Sequence, residues 1–233
     1  MNFRPDQQAP GNHCVALISD VVDSRGHADR SALQEQLTAL VAALNEQHEP
    51  ALLARFTISR GDEIQALLKR AEPIPDIVWF AGDFLGPTTM RFGFGLGPLD
   101  TPLRTLPTET DGPAWWFARD ALKTAAESNR TGGMFAGFGD DDVVLTAMST
   151  LLDHIRGRFT TRQRQVARLL REGHGAVHIG NILGITRQAV YHHARGAGWA
   201  PYSEGEAAWR AILRKYDWSC DWEMADGAAR RRR

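Results

Sequence analysis

A chain of 233 residues with 43% hydrophobic residues and a formal net charge of −1 is long enough for one large domain or two small ones with cores of their own. No apolar run approaches the ~20 residues that span a bilayer, and Met1–Asn12 lacks the apolar stretch of a secretory leader. Two distant cysteines, Cys14 and Cys220, make no disulfide framework. Together these features argue against membrane and disulfide-scaffold classes and lead us to expect a cytoplasmic protein.

In chain order, His13–Ser19 is a short apolar run that reads as a buried strand. Ser31–Asn45 carries Leu33, Leu37, Leu40, Val41 and Leu44 at helical spacing. Arg55–Ser59 and Ile64–Leu68 read as strands joined by the tight hairpin Arg60-Gly61-Asp62-Glu63. A helix is expected over Pro75–Phe84, a strand over Met90–Leu96, and a helix over Pro113–Ala126, where proline suits the first turn. The order βαββαβ predicts a ferredoxin-like α+β sheet with its helices on one face. Gly93, Gly95 and Gly97 open no helix, so they suit close packing or a bulge and not a dinucleotide turn.

Charge is divided unevenly along the chain. Residues 1–153 carry 12 Arg/Lys against 21 Asp/Glu, whereas residues 154–216 carry 11 against 3. This asymmetry predicts two domains, the second with a polyanionic partner. We place the first at 1–139, a connecting helix at 140–158, and the second domain at 159–233.

The second domain reads as three short helices. Thr161–Glu172 has Val166, Leu169 and Leu170 on one face, and Val177–Leu183 is apolar at Ile179, Ile182 and Leu183. Gly184 makes the turn, Thr186 is a good N-cap, and Arg187–Arg195 buries Ala189 and Val190. Small Gly180 permits a steep helix crossing. The string GNILGITRQAVYHHAR resembles the helix-turn-helix of sigma-factor region four, an all-α reader of double-stranded DNA. In that geometry the third helix enters the major groove. Arg187 and Gln188 are then the candidates for base readout, and Tyr191, His192, Arg195, Arg162, Arg164 and Arg168 the candidates for phosphate contact. Trp199–Tyr216 is expected to cap this small core, and Arg230–Arg233 either adds phosphate attraction or frays.

Carboxylates mark the first domain. Asp20 follows the first strand, and Asp62 and Glu63 sit at the hairpin tip. If those strands are neighbours, Asp20 and Asp62 meet at one sheet edge, where two oxygen ligands suit Mg²⁺. The simpler alternative is that they are turn formers. Gly61 would let phosphates approach backbone. Trp115 and Trp116 are either base-stacking residues or core and interface residues.

The blocks ALISDVVDSR, SRGDEIQALL, MRFGFGLGPLDT and DGPAWWFARDAL resemble the SatD family over essentially the whole chain. At greater distance they are similar to class III nucleotidyl cyclase catalytic domains, and the RGDEI hairpin resembles that of diguanylate cyclases. The resemblance implies a nucleotide- and metal-binding domain, with Asp20, Asp62 and Glu63 at the metal and Gly61, Trp115 and Arg119 toward the nucleotide. Where cyclases carry a catalytic asparagine this chain has a tryptophan, so binding is implied and turnover is not. The expectation is therefore a homodimeric DNA-binding regulator with a cyclase-like nucleotide sensor. The alternative is a two-metal enzyme that makes or cleaves a nucleotide.

Overall fold

The computed structural model describes residues 13–26, 29–86 and 88–217. Cys220 and Arg230–Arg233 lie outside them. By packing, the described residues up to Ala147 and those from Arg210 onward form one compact unit, and Met148–Trp209 form another.

The first unit contains β1 (His13–Val21), α1 (Arg30–His48), β2 (Leu52–Arg60), β3 (Glu63–Leu68), α2 (Ile74–Phe84), β4 (Met90–Pro98), α3 (Pro113–Glu127) and β5 (Gly132–Ala136). The sheet order is β2-β3-β1-β4-β5. β1 runs antiparallel to both β3 and β4, and β2 runs antiparallel to β3. Those four strands have the ferredoxin-like order expected of βαββαβ. α3 then connects β4 to β5, which pairs with it in parallel and makes the sheet mixed.

Local chemistry explains the elements. Asp29 caps α1 by accepting from the Ala32 N–H, and Leu33, Leu37, Leu40 and Leu44 form its buried stripe. At the C-terminal end of that stripe the Asn45 amide donates to Phe56 O and accepts from Phe56 N–H, at 2.9 and 2.8 Å. The β2–β3 register shifts there, so a side chain does the work of the missing ladder.

The sheet carries helices on both faces, not on one. Cys14–Ser19 of β1 are all buried, whichever face they point to. Cys14, Ala16 and Ile18 pack with Ala114, Trp115, Ala118 and Leu122 of α3. No residue of α1 or α2 belongs to that cluster; these helices pack on each other, on β2 and on β4, and cover the opposite face. The reason lies in β4. Its Phe92, Phe94 and Leu96 are buried on one side, while Gly93, Gly95 and Gly97 present bare backbone on the other. A Cβ at Gly95 would fall on Ala114 O and Ala118 N, and one at Gly93 on Ala118 O. Bare backbone lets α3 lie directly on the strand.

Residues from Arg210 on, expected in the second domain, complete this first unit. Arg210 forks onto Asp76 at 2.7 and 3.0 Å and also reaches Glu72. The Tyr216 hydroxyl donates to Phe138 O and its ring meets Phe138 edge-on. Asp217 accepts the Ala71 and Glu72 N–H groups just before α2. With Arg214 on Glu72 and Lys215 on Asp141, three of the cations counted toward a polyanion-binding domain neutralise carboxylates of the α+β unit instead.

The second unit is helical. α4 (Asp141–Gly157) enters it at Met148 and α8 (Trp199–Leu213) leaves it at Trp209; between them lie α5 (Thr161–Arg171), α6 (Ala176–Leu183) and α7 (Arg187–Gly196). Thr160 and Gln163 form a reciprocal capping box at the start of α5. Val166, Leu169, Ile179 and Val190 make the three-helix core, with Leu183 and Ile185 against it. On α8, Tyr202 stacks on Trp199 and takes Phe159 edge-on, and Trp209 is buried. α8 thus packs its aromatic residues on Phe159, ahead of α5, and contributes no residue to the three-helix core, which it was expected to cap.

Candidate functional site

The alternation that buries Cys14, Ala16 and Ile18 under α3 carries on to Asp20, the next residue on that face. Asp20 lies within β1, directly opposite Arg91 of β4. Gln65 stands opposite Ile18 on β3, and Glu63 lies two residues away on the same face. α3, seated on the glycines, projects Arg119 toward this end of the sheet. One polar constellation results, assembled from five elements once Ser59 of β2 is included.

Its bonds are specific. Arg91 Nε donates to Asp20 Oδ1 at 2.9 Å, and both residues are half-buried. Glu63 Oε1 accepts from Ser59 Oγ at 2.8 Å and Gln65 Nε2 at 2.7 Å, while Glu63 Oε2 faces Arg119 Nη1 at 3.4 Å. Asp62 Oδ2 accepts the Val21 N–H at 3.1 Å, tying the hairpin tip to the end of β1. Gly61, with φ of +59°, makes that turn in the left-handed region and has open space beside its Cα.

Asp20 and Asp62, expected at one sheet edge, do come within electrostatic reach of each other there, and Glu63 joins them. Their partners are mainly arginines and hydrogen-bond donors. Among the described residues no group of three or more His, Cys, Asp or Glu side chains is placed to hold a metal ion. Asp20 Oδ1 is taken by Arg91, Glu63 lies against Arg119, and Asp62 Oδ2 is used by backbone, so a Mg²⁺ at this edge would share Asp20 with a guanidinium.

Burial pushes the Asp20 carboxyl above its ordinary pKa; Arg91 opposes the shift, and the negative charges of Asp62 and Glu63 add to it. A raised folded-state pKa means the native protein holds the proton to higher pH than the unfolded chain does. The stability linked to Asp20 is thus full below the ordinary carboxylate range and falls as pH rises through the folded value. Asp20→Asn keeps an acceptor for Arg91 and removes the charge. By thermal unfolding at neutral pH, this variant is expected to melt at or above the wild-type temperature and to gain less than wild type on acidification. A markedly lower melting temperature would mean that the Arg91 pair outweighs burial.

Sequence reasoning missed Arg91, Gln65 and Ser59. The cross-strand register identifies Arg91, but only once β1 and β4 are known to be neighbours. Trp115 needs correction: it lies in the core under α3, only 7% exposed, with its indole N–H on Thr110 Oγ1 at 3.0 Å, so its ring is not open to a base. Trp116 is 53% exposed. Helix geometry decides between these adjacent residues, since 115 shares a face with 118 and 122.

In the second unit, α6 ends at Gly184 in the left-handed region, with φ of 65° and ψ of 36°. The Ile185 N–H returns to Gly180 O at 3.0 Å, and a Cβ at Gly180 would stand 2.7 Å from Ile185 O. Gly180 thus lets the turn fold back on α6. Thr186 caps α7 by accepting from Ala189 N–H at 3.1 Å. With Val190 anchored in the core, Arg187, Gln188, Tyr191, His192 and Arg195 are exposed along α7.

Of the expected phosphate contacts on α5, Arg168 is exposed. Arg162 and Arg164 are half-buried and used within the unit: Arg162 reaches Gln165 and the Leu183 carbonyl at the end of α6, and Arg164 reaches the Arg156 carbonyl. Met148–Trp209 contains eight arginines against four carboxylates, a smaller excess than the span 154–216 suggested.

The fold is thus an α+β domain with a mixed five-stranded sheet, followed by an all-helical region from α5 to α8. The chain belongs to the SatD family, whose model matches residues 14–174. That match takes in the whole sheet, α4 and α5 and ends before α6, so the α6–α7 pair lies beyond it, in contrast to the whole-chain resemblance read from sequence. No curated protein matches the chain. Among the described residues no helix is long and apolar enough to cross a membrane.

Proposed function

We propose that this protein is a cytoplasmic, homodimeric DNA-binding transcriptional regulator whose α+β domain senses a nucleotide. The observation that carries the reading is α7. A Thr186-capped helix follows a left-handed glycine turn, is anchored by one buried valine, and turns Arg187, Gln188, Tyr191, His192 and Arg195 outward. A recognition helix in the major groove uses this arrangement, with its N-terminal side chains at base edges. Arg187 suits guanine and Gln188 adenine; exposed His192, Arg195 and Arg168 would contact phosphates. Two copies would read two half-sites one helical turn apart.

The sensing half of the proposal rests on the sheet-end constellation. Arg119 and the open Gly61 turn are the groups offered to a nucleotide's phosphates. The Mg²⁺ expected from sequence would share Asp20 with Arg91, and the reading does not depend on a metal. Such a ligand regulates only by binding the two functional states with different affinity.

The test is duplex binding by the full-length protein to its own promoter region, with and without each nucleoside triphosphate, in the presence and absence of Mg²⁺. A nucleotide-dependent change in affinity is expected. Unchanged affinity removes the sensor, and no sequence-preferring DNA binding removes the regulator. Arg187→Ala is expected to cost about 1–3 kcal/mol on a specific site and to relax preference at one base pair. A uniform loss over all sequences would make Arg187 a phosphate contact.

A further inference from the structure

Arg187 is not a free side chain on α7. Its Nη2 and Nε lie 3.2 and 3.4 Å from the Tyr191 hydroxyl, one helical turn on, and its guanidinium carbon stands 5.4 Å from the centre of the Tyr191 ring. Both residues are exposed, so this order comes from the pair itself and not from packing around it. An i,i+4 spacing brings the two side chains together along the helix surface.

The geometry of the fork decides what this contact leaves available. A guanidinium offers five N–H donors in one plane. The tyrosine hydroxyl takes the edge formed by Nε and Nη2, and the ring gives the cation a face to rest against. The outer edge, formed by Nη1 and the second hydrogen of Nη2, remains as a parallel donor pair. That pair matches the O6 and N7 acceptors of guanine in the major groove. Holding a long arginine in one orientation before binding removes part of the ordering cost that contact with a base would otherwise carry.

On the basis of the DNA-binding reading, we infer that Tyr191 is a positioning residue, which holds Arg187 so that its outer edge reads guanine. This differs from the phosphate contact that its place on the helix suggested. A phosphate contact acts on every sequence alike, whereas a positioning contact acts only through Arg187 and only at the base Arg187 reads.

The experiment uses the full-length protein, a pool of randomised duplexes to select a preferred site, and four fluorescent duplexes that differ at the base pair sensitive to Arg187→Ala. Tyr191→Phe keeps the ring and loses the hydroxyl. It is expected to reduce discrimination for guanine at that one position by about fivefold, the worth of one net hydrogen bond, with the salt dependence of binding unchanged. In an Arg187→Ala background, Tyr191→Phe is expected to have no further effect. Equal weakening of all four duplexes, or a full effect of Tyr191→Phe without Arg187, would overturn the inference and make Tyr191 a phosphate contact. Unchanged discrimination in Tyr191→Phe would also overturn it, while leaving the DNA-binding reading intact. If wild type selects no preferred site from the pool, the DNA-binding reading falls and this inference with it.

Discussion

Gly95→Ala is expected to lower the melting temperature of the protein by roughly 4–10 °C. The added methyl group would fall on Ala114 O and Ala118 N, and both are backbone atoms in α3. A side chain in the way can change rotamer, but a helix backbone can only move as a body. α3 would have to lift off β4, disturbing the contacts of Trp115, Ala118 and Leu122 with the sheet. Overpacking of this kind costs about 3 kcal/mol at its upper end, and each kcal/mol moves the melting temperature of a domain this size by about 2–4 °C. Alanine's advantage over glycine in the unfolded chain offsets only about 0.4–1 kcal/mol. Gly157→Ala is the control, since a Cβ there meets nothing within 4 Å. Equal melting temperatures for the two variants would show that α3 is not seated on bare strand. Because α3 also carries Arg119, Gly95→Ala should weaken any nucleotide effect on DNA binding as well.

The second large effect is expected in the helical unit. Arg171 of α5 meets Glu206 of α8 through Nη2 to Oε1 at 2.6 Å and Nε to Oε2 at 3.2 Å. The side chains are 19% and 12% exposed. Bidentate geometry makes this a strong pair, but its effect on stability is asymmetric. Glu206→Ala leaves a largely buried guanidinium without its carboxylate and is expected to cost about 3 kcal/mol, read by chemical or thermal unfolding. Replacing both partners, as Arg171→Met with Glu206→Leu, removes the charge and the desolvation together. The double variant should therefore recover most of the loss, because two well-packed apolar groups can match a buried ion pair. If Glu206→Ala changes stability by less than about 0.5 kcal/mol, within the range of ordinary surface substitutions, the pair is solvated and α8 is held by its aromatic residues alone. If the double variant is no better than the single one, the pair contributes specific geometry that apolar side chains do not replace.

A carboxylate bridged to arginine gains its countercharge from the protein itself, at fixed geometry. Magnesium competes poorly for oxygens already committed in this way, because it demands near-ideal octahedral placement and gives up water reluctantly. Adding MgCl2 to the wild-type protein is therefore expected to leave its melting temperature unchanged. A clear rise that disappears in Asp20→Asn would show that Asp20 exchanges Arg91 for the ion.

The sequence by itself determined the elements whose signals are local. Leucines at helical spacing mark α1, proline at the first turn marks α3, Arg60–Glu63 marks the β2–β3 hairpin, and Gly184 followed by Thr186 marks the turn before α7. The meeting of Asp20 with Asp62 was also legible, because a hairpin tip and a neighbouring strand end have few places to go. Tertiary structure alone decided the rest. It chose which of Trp115 and Trp116 enters the core, put helices on both faces of the sheet, and paired Asp20 with Arg91 across 71 residues. It also brought Arg210, Tyr216 and Asp217 back to the first unit, against Asp76, Phe138 and Ala71. The physical reason is range. Caps, turns and amphipathic stripes are settled within a few residues, whereas a charge's partner depends on which distant segment folds against it. A count of charges along the chain describes the net charge of a stretch; only the folded structure shows which charges are already neutralised and which remain for a partner.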